Sequence, residues 1–396
     1  MNNVDLAAFF LYFCGAKHIF SIDMNLRKRY FIALILAFLV IMGVGAKTIR
    51  LGIMLPLHDE NGDGRRMVEY YRGVLMACDS LKKSGLSVDV HAWNTPEDCN
   101  VREILKDPAA AKCDLIIGPL YSRQVRPLSE FVEAHQIKLL IPFSITAPAI
   151  YTNPNIYQVY QNSNDFNNRS INTFLTQFQG FHPVIIDCND STSKKGSFTF
   201  GLRRKLEERG WNYNLTNLKS GEDAFYKAFS ATQPNVVILN TGRHQELGVA
   251  LAKLNGLCSV HPELTISLFG YTEWLGYTRL YLEQFYRYNA YVPSPFYTNL
   301  TSSATQRLQQ KYRWNFHTDM QQMLPRFALT GFDHVMFFLQ GMNRMGKDFD
   351  GLAGQLNTTP VQTPLRFERI GNGGLRNSML LLVHYKPEQR VEIIKK

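Results

Sequence analysis

The chain has 396 residues, of which 45% are hydrophobic and 19% charged, and its formal net charge is +10. This is the composition of an ordinary globular protein. The positive charge is scattered, without the dense stripe or known module of a nucleic-acid-binding protein, so that class is excluded. We interpret it as a mildly basic surface with a weak preference for acidic partners.

A secretory signal is predicted near the start of the chain. Residues 24–30 carry basic side chains, Phe31–Val44 is apolar, and two small residues follow, which are the three parts of an export signal. We expect residues 1–46 to be the leader, Met24 to be the true start, and the remainder to be soluble in the periplasm. The apolar run is shorter than the roughly 20 residues that span a bilayer. Membrane contact is therefore expected only through an uncleaved leader.

Five cysteines follow this leader, namely Cys78, Cys99, Cys113, Cys188 and Cys258. An odd number leaves at least one thiol unpaired in a monomer. A bridge remains an alternative, but we favour buried thiols that act as small hydrophobic side chains. Neither a CxxC motif nor a His/Cys cluster predicts a metal site, and we expect no cofactor.

Strand and helix patterns alternate along the first third of the predicted mature chain. Thr48–Leu55 is a nearly continuous apolar run, typical of a strand buried on both faces of a parallel sheet. The further predicted strands are Leu86–Ala92, Asp114–Ile117 and Ile137–Phe143. The predicted helices are Met67–Lys83, Val101–Asp107 and Ser122–His135. Such alternation predicts an α/β fold with right-handed crossovers.

The pattern pauses at Tyr151–Asn164 and then resumes. The next predicted strands are Pro183–Cys188, Asn212–Leu218, Asn235–Asn240, Leu264–Phe269 and Ala290–Pro295. The next predicted helices are Asp165–Gln179, Phe198–Arg209, Asp223–Phe229, Gln245–Leu254, Ser303–Tyr312 and Arg326–Arg344. A β-hairpin is predicted at the end, where Leu365–Ile370 would pair with Met379–Tyr385 around a glycine-rich turn.

Several segments, taken in their order and spacing, resemble the type I periplasmic binding proteins, the leucine/branched-chain amino-acid-binding family. They are IRLGIMLPL (Ile49–Leu57), Cys113–Phe131, Ile137–Ser144 and Ala328–Met342. The resemblance implies an α/β fold of two Rossmann-like lobes with parallel sheets, joined by three crossovers. The closing run Arg366–Tyr385 resembles a Bacteroidetes-type subgroup that often carries LysM repeats ahead of this domain. We find no such repeat here, which weakens a direct cell-wall role.

The resemblance also implies the lobe boundaries. Lobe I is expected to comprise residues 48–158 plus 293–358, and lobe II residues 159–292 plus 359–396. The crossovers are expected near Tyr157–Asn162, Tyr291–Pro295 and Thr359–Phe367. Ligands of open α/β sheets bind at the carboxyl ends of the strands. Two such edges facing one another across a hinge make a cleft that can close on a small molecule.

Candidate ligand-binding residues of the first lobe are those that follow its predicted strands: His58, Tyr121, Ser122, Ser144 and Thr146. By resemblance, relatives hold an amino-acid carboxylate with hydroxyl groups in the last two of these loops. Helix N-termini there offer free N–H groups to an anion. The alternative is that Ser122 is only a helix cap and Ser144 only a turn residue.

In the second lobe, Glu273 looks like the position where amino-acid-binding relatives place an acid for the ammonium group. Trp274 beside it could stack on a ligand, although a solvent-facing glutamate and a core tryptophan are favoured. Asp190 follows another predicted strand and is a further candidate, with Asp187 and Ser191 as weaker ones. A cleft role for Asp333, at a helix start, is less favoured than a contact with the helix dipole.

Two other clusters of polar residues are not interpreted as ligand-binding sites. The loop Asp59–Gly64 matches the first half of an EF-hand, but Tyr70 stands where the closing glutamate should be, so a turn is favoured over calcium. Lys194 and Lys195 are interpreted as a solvated helix end. The sequence contains none of the GxSxG, HExxH, Walker A or dinucleotide-binding motifs, and we expect no enzymatic activity.

The sequence thus predicts an exported, non-catalytic protein that binds a small polar ligand, amino-acid-like or a cell-wall fragment. A membrane permease would be its partner in transport. The alternative is an envelope scaffold or a regulator of a peptidoglycan synthase with a vestigial cleft, which the bulky Tyr121 and Ile145 favour. An intracellular repressor of the same fold is excluded by the leader and by the lack of a helix-turn-helix.

Overall fold

The computed structural model describes residues 48–144 and 146–396. The predicted leader and Ile145 lie outside the described residues. The strands are β1 (Ile49–Leu55), β2 (Val88–Asn94), β3 (Leu115–Ile117), β4 (Lys138–Ile141), β5 (Ile156–Gln158), β6 (His182–Asp187), β7 (Asn214–Asn217), β8 (Asn235–Leu239), β9 (Ile266–Phe269), β10 (Tyr291–Ser294), β11 (Phe367–Arg369), β12 (Leu375–Asn377), β13 (Leu381–Lys386) and β14 (Arg390–Lys395).

The α-helices are α1 (Gly62–Lys83), α2 (Val101–Ile104), α3 (Val125–His135), α4 (Ser163–Gln177), α5 (Gly196–Glu208), α6 (Glu222–Tyr226), α7 (His244–Val260), α8 (Thr278–Arg287), α9 (Ser303–Phe316) and α10 (Phe327–Met345). Short 3₁₀ helices lie at Ala110–Lys112, Ser122–Gln124, Pro148–Tyr151, Thr272–Tyr277 and Gly346–Asp348.

Two seven-stranded sheets organise these elements into two lobes. The first sheet has the order β11-β12-β5-β4-β3-β1-β2, and the second has the order β14-β13-β10-β9-β8-β6-β7. The central strands of both sheets pair in parallel. The predicted fold class, two α/β lobes with mainly parallel sheets, is confirmed.

The apolar runs form the buried centre of each sheet. Every residue of β1 except Arg50 is buried, and every residue of β8 is buried. Helices α1 and α10 pack on the first sheet in close backbone contact, because Gly73 lies against Ala328. A methyl group at Gly73 would lie 1.8 Å from the carbonyl oxygen of Ala328. Glycine is therefore required where these helices cross.

Within the described residues, the chain passes between the sheets at three places. The first crossover joins β5 to α4 through residues 159–162, and the second follows β10 at residues 295–302. The third joins β12 to β13 through residues 378–380. The predicted third crossover at Thr359–Phe367 is therefore wrong, because β11 and β12 still belong to the first sheet.

The predicted C-terminal hairpin is also wrong in its pairing. The strand β11 pairs with β12, not with residues 379–385, and β12 pairs in parallel with β5 of the first sheet. The strand β13 instead pairs with β10 and β14 in the second sheet. Residues 367–377 thus lie in the first lobe, although 359–396 is predicted to lie entirely in the second.

The cysteines of the described residues are free thiols. Burial raises the pKa values of Cys78, Cys113 and Cys188 to about 12. These three thiols therefore remain protonated and pack as small hydrophobic groups, in agreement with the interpretation that favours buried thiols over a bridge.

Candidate functional site

The predicted ligand-binding residues lie just after the carboxyl ends of parallel strands. In chain order, these residues and the strands they follow are His58 (β1), Tyr121 and Ser122 (β3), Ser144 and Thr146 (β4), Asp190 (β6) and Glu273 (β9). The strands β5 and β10 run from the same two edges into the first and second crossovers. The two edges therefore lie on either side of the hinge, and we call the space between them the interlobe cleft.

Two serine hydroxyls meet at the first edge. The Oγ atoms of Ser122 and Ser144, from separate loops, lie 3.1 Å apart. Ser144 is buried and its Oγ lies 3.3 Å from the carbonyl oxygen of Thr146, while Ser122 and Thr146 are exposed. Ser122 does not act as a helix cap, because Tyr121 and Gln124 occupy the N-cap positions of its 3₁₀ turn and of α3, and neither has a side-chain capping bond. This arrangement sets a pair of hydroxyl groups at the boundary of the cleft.

The backbone of Ser144 is held by the end of β5, next to the first crossover. The side-chain amide of Gln158, the last residue of β5, donates from Nε2 to the Ser144 carbonyl oxygen at 2.9 Å. Gln158 is 1% exposed, so this bond is made in the interior of the lobe. The position of the hydroxyl pair is thereby coupled to the strand that leads into the hinge.

Tyr121 and His58 lie beside the N-terminus of α1. The Tyr121 hydroxyl donates to Oδ2 of Asp63 at 3.5 Å, and burial, followed by the Asp63 charge, raises the tyrosine pKa. The His58 side chain is 10% exposed and its Nδ1 accepts the backbone N–H of Glu60 at 3.3 Å. The absence of a side chain at Gly64 leaves room for His58. His58 thus shapes the first loop.

An ion pair occupies the middle of the second edge. Nζ of Lys195, in the loop after β6, lies 2.6 Å from Oε1 of Glu273, in the turn after β9. The Lys195 ammonium also lies 4.7 Å from the centre of the Tyr271 ring. Glu273 is thus not the free carboxylate that its position after β9 suggests, because a lysine of the same lobe compensates its charge.

Trp274, the neighbour of Glu273, belongs to the core. Its side chain is fully buried and stacks on Phe285 at 5.7 Å between ring centres. The favoured interpretation of Trp274 as a core residue agrees with this position, which leaves no ring face for a ligand.

Asp190 is held by its own loops. Its side chain is 1% exposed and accepts hydrogen bonds from Thr192, Thr241 and Arg243. The hydrogen bonds from Thr192 and Thr241 lower its pKa to about 2. The carboxylate therefore ties together the loops that follow β6 and β8.

The weaker candidates have partners as well. Asp187 accepts hydrogen bonds from the backbone of Asn189 and from the side chains of Asn217 and Asn240. Asp333 is fully buried and accepts three backbone N–H groups, those of residues 361–363, at 2.8 Å each. Burial raises its pKa to about 6 in spite of these bonds. Asp333 thus fixes the loop at residues 361–363.

Within residues 48–144 and 146–396, no group of three or more His, Cys, Asp and Glu side chains is arranged to hold a metal ion. In the same part of the chain, no helix combines the length and the apolar character needed to cross a bilayer.

No family profile matches this sequence, and no curated protein matches it. Solved structures do match this sequence's fold. One is a protein assigned to a branched-chain amino acid ABC transporter of Rhodospirillum rubrum, with 16% identity and a TM-score of 0.58. The match covers 88% of this chain and the whole of the Rhodospirillum rubrum chain. Full-length LpoA of Haemophilus influenzae matches 90% of this chain, with 13% identity and a TM-score of 0.55, and 61% of the LpoA chain is covered.

The chain has the type I periplasmic binding-protein fold. The finer expectation, a Bacteroidetes-type subgroup with LysM repeats, finds no support among these structures.

In this binding-protein fold, ion pairs join the lobes beside the crossovers. Arg376 of β12 donates from Nη1 to Oδ2 of Asp165, in the first turn of α4, at 2.7 Å. Arg169 of α4 donates from Nη2 to Oε2 of Glu368, in β11, at 2.8 Å. Any rotation of one lobe against the other must stretch or rearrange these contacts.

The roles of three residues in this binding-protein fold are not predicted from the sequence. Lys195 is predicted to be a solvated helix end, yet it neutralises Glu273. Gly242 makes room for that pair, and Gln158 supports Ser144. Their local sequence carries no signal of these roles, because each residue contacts a partner from a different strand–helix unit. The one available signal is the position of Lys195 after β6, which indicates a place at the edge of the cleft.

Proposed function

We propose that this protein is an exported, non-catalytic binding protein of the periplasm, whose interlobe cleft closes on a small polar ligand. The ligand is amino-acid-like or a cell-wall fragment, and closure signals occupancy to a membrane permease. The fold supports this proposal, since it places the carboxyl edges of two sheets on either side of a hinge.

The observation that carries the proposal is the hydroxyl pair of Ser122 and Ser144, 3.1 Å apart at the first edge. Hydroxyl groups donate and accept hydrogen bonds, so a pair from two loops can hold a carboxylate or carbonyl oxygen. Thr146 and Tyr121 lie in the same two loops, and Glu273 with Lys195 lies on the opposite edge. We assign His58 and Asp190 to loop support, because Nδ1 of His58 and both carboxylate oxygens of Asp190 are already bonded within the protein.

Thermal-shift and calorimetric titration of the purified protein with amino acids, muropeptides and nucleosides tests this function. We expect one of these classes to stabilise the protein and Ser144→Ala or Ser122→Ala to weaken its binding about tenfold, the loss of one hydrogen bond of about 1.4 kcal/mol. Ser303→Ala, at an exposed position of α9, is the matched control. Failure of every class to bind at millimolar concentration would contradict the proposal.

The second candidate function is an envelope scaffold or a regulator of a peptidoglycan synthase with a vestigial cleft. Two observations favour it, namely the internal neutralisation of Glu273 by Lys195 and the internal hydrogen bonding of Asp190. If this second function is correct, the protein should bind an envelope synthase in the absence of any small ligand. Such capture, unchanged in Ser122→Ala and Ser144→Ala, would favour it over the ligand-binding function.

A further inference from the structure

The Lys195–Glu273 pair lies over the carboxyl end of the central strand β8. Lys195 follows β6 and Glu273 follows β9, and these two strands flank β8 in the sheet. Gly242, in the loop after β8, packs beneath the pair. A methyl group at Gly242 would lie 3.0 Å from Cε of Lys195 and 3.5 Å from the carboxyl carbon of Glu273. Three separate loops thus combine to present one compensated charge pair at the middle of this edge.

The pair is accessible from solvent but confined. The Lys195 side chain is 25% exposed and that of Glu273 is 47% exposed. One donor of the ammonium group points to Oε1 of Glu273, and the Tyr271 ring lies beside the ammonium. An ammonium group has three N–H donors. The remaining donors of Lys195 can reach an oxygen atom of a ligand in the cleft.

The two carboxylates at the end of β6 and just after it are also occupied. Asp190 accepts hydrogen bonds from Thr192, Thr241 and Arg243. Asp187 accepts from three amide groups. At Glu273 itself, an incoming ammonium group would have to displace Lys195 or lie next to its positive charge.

We propose that Lys195 is a specificity-determining residue and that the cleft selects carboxylate ligands that carry no free ammonium group, such as N-acylated amino acids. This inference depends on the proposed ligand-binding function. The ligand's carboxylate or carbonyl oxygens contact the Ser122–Ser144 hydroxyls and Lys195, and its amide nitrogen is uncharged. Glu273 fixes the position of the lysine and does not hold a ligand cation.

Calorimetric titration with the standard amino acids and with their N-acetyl derivatives tests the inference. We expect the wild-type protein to bind an N-acetyl derivative at least tenfold more tightly than the parent amino acid. Lys195→Ala releases Glu273, so the affinity for the parent amino acid should rise at least tenfold and the preference should collapse. Lys194→Ala removes the same charge from the neighbouring exposed position and should leave the preference unchanged.

Two outcomes separate this inference from the proposed function. Equal or tighter binding of free amino acids by the wild-type protein, or an unchanged preference in Lys195→Ala, overturns the inference and leaves the binding function in place. No binding of either panel to the wild type and to Lys195→Ala overturns the inference, and the binding function fails with it only if muropeptides and nucleosides do not bind either. Lys195→Met, which keeps most of the aliphatic stem, replaces Lys195→Ala if thermal denaturation shows that the alanine variant is unfolded.

Discussion

Arg376 and Asp165 join the two lobes at the hinge, with Nη1 of the arginine 2.7 Å from Oδ2 of the aspartate. The same guanidinium donates from Nε to Oε1 of Gln158 at 3.1 Å, and Gln158 in turn holds the backbone of Ser144 at 2.9 Å. A continuous path of hydrogen bonds therefore links the first turn of α4 in the second lobe to the hydroxyl pair in the first. A change in the angle between the lobes can be transmitted to the candidate site along this path.

Replacing Arg376 with alanine tests the importance of that path. The Arg376 side chain is 16% exposed, so its loss leaves Gln158 and Asp165 without a largely buried partner. We expect the free energy of unfolding, measured in urea, to fall by about 1–3 kcal/mol. Arg390→Ala, on the exposed side of β14, should change it by less than about 0.5 kcal/mol. Equal stability of the two variants would contradict a structural role of the Arg376 contacts.

The sequence predicts the sheets well where strands are continuous apolar runs. The strands β1 and β8 are buried over nearly their whole length, and their hydrophobic pattern reports that burial directly. The strands β11 and β12 have only three residues each and include Glu368, Arg369 and Arg376. Their place in the first sheet depends on pairing of Leu375 with Tyr157, far away in the chain. No local pattern encodes such a pairing.

The candidate site also combines features that the local sequence predicts with features that depend on distant residues. The positions of Ser122 and Ser144 follow from the ends of β3 and β4, which are local features of the sequence. The environment of Glu273 does not, because its partner Lys195 is 78 residues away. Their contact depends on the order of β6, β8 and β9 and on the space left by Gly242. Sequence patterns can therefore place a carboxylate at the edge without revealing that its charge is compensated.

The crossing of α1 and α10 allows a prediction about packing. A methyl group at Gly73 would lie 1.8 Å from the Ala328 carbonyl oxygen, which belongs to the backbone and cannot rotate away. We expect Gly73→Ala to lower the free energy of unfolding by about 3 kcal/mol or more, because the helices must separate. Urea denaturation monitored by circular dichroism measures this loss.

Gly256→Ala is the matched control for that packing test. Gly256 lies within α7, and no atom of the described part of the chain would lie within 4 Å of a methyl group there. Alanine there should raise the stability by about 0.5–1 kcal/mol through helix propensity. If Gly73→Ala were as stable as the wild type, the close contact between α1 and α10 would be refuted.

Asp333 should make the stability fall as the pH rises. Burial raises the pKa of its carboxyl group from 3.8 to about 6 in the folded protein. The folded state therefore binds more protons between these values, so the stabilising contribution is complete below pH 3.8 and is lost as the pH rises through 6. Relative to Asp333→Asn, the free energy of unfolding should decrease between pH 4 and pH 6.5 by at most about 3 kcal/mol. A difference that stays constant across this range would contradict the prediction, and Asp98→Asn at an exposed position serves as the control.

His334, the next residue, should have the opposite effect. Its ring is fully buried, its Nδ1 lies 2.9 Å from the Tyr70 hydroxyl, and its Nε2 has no hydrogen-bond partner among the described residues. Burial lowers the pKa of His334 from 6.5 to about 3, so the folded state keeps the ring neutral where the unfolded chain protonates it. The stabilising contribution is therefore complete above pH 6.5 and is lost as the pH falls towards 3. Relative to His334→Gln, the free energy of unfolding should fall by about 1.4 kcal/mol per pH unit below 6.5, or about 2 kcal/mol by pH 5. Urea denaturation at a series of pH values measures the slope, and His135→Gln, on the exposed end of α3, should follow the wild type. Parallel pH profiles of the wild type and His334→Gln would mean that His334 gains a proton in the folded protein as readily as in the unfolded chain.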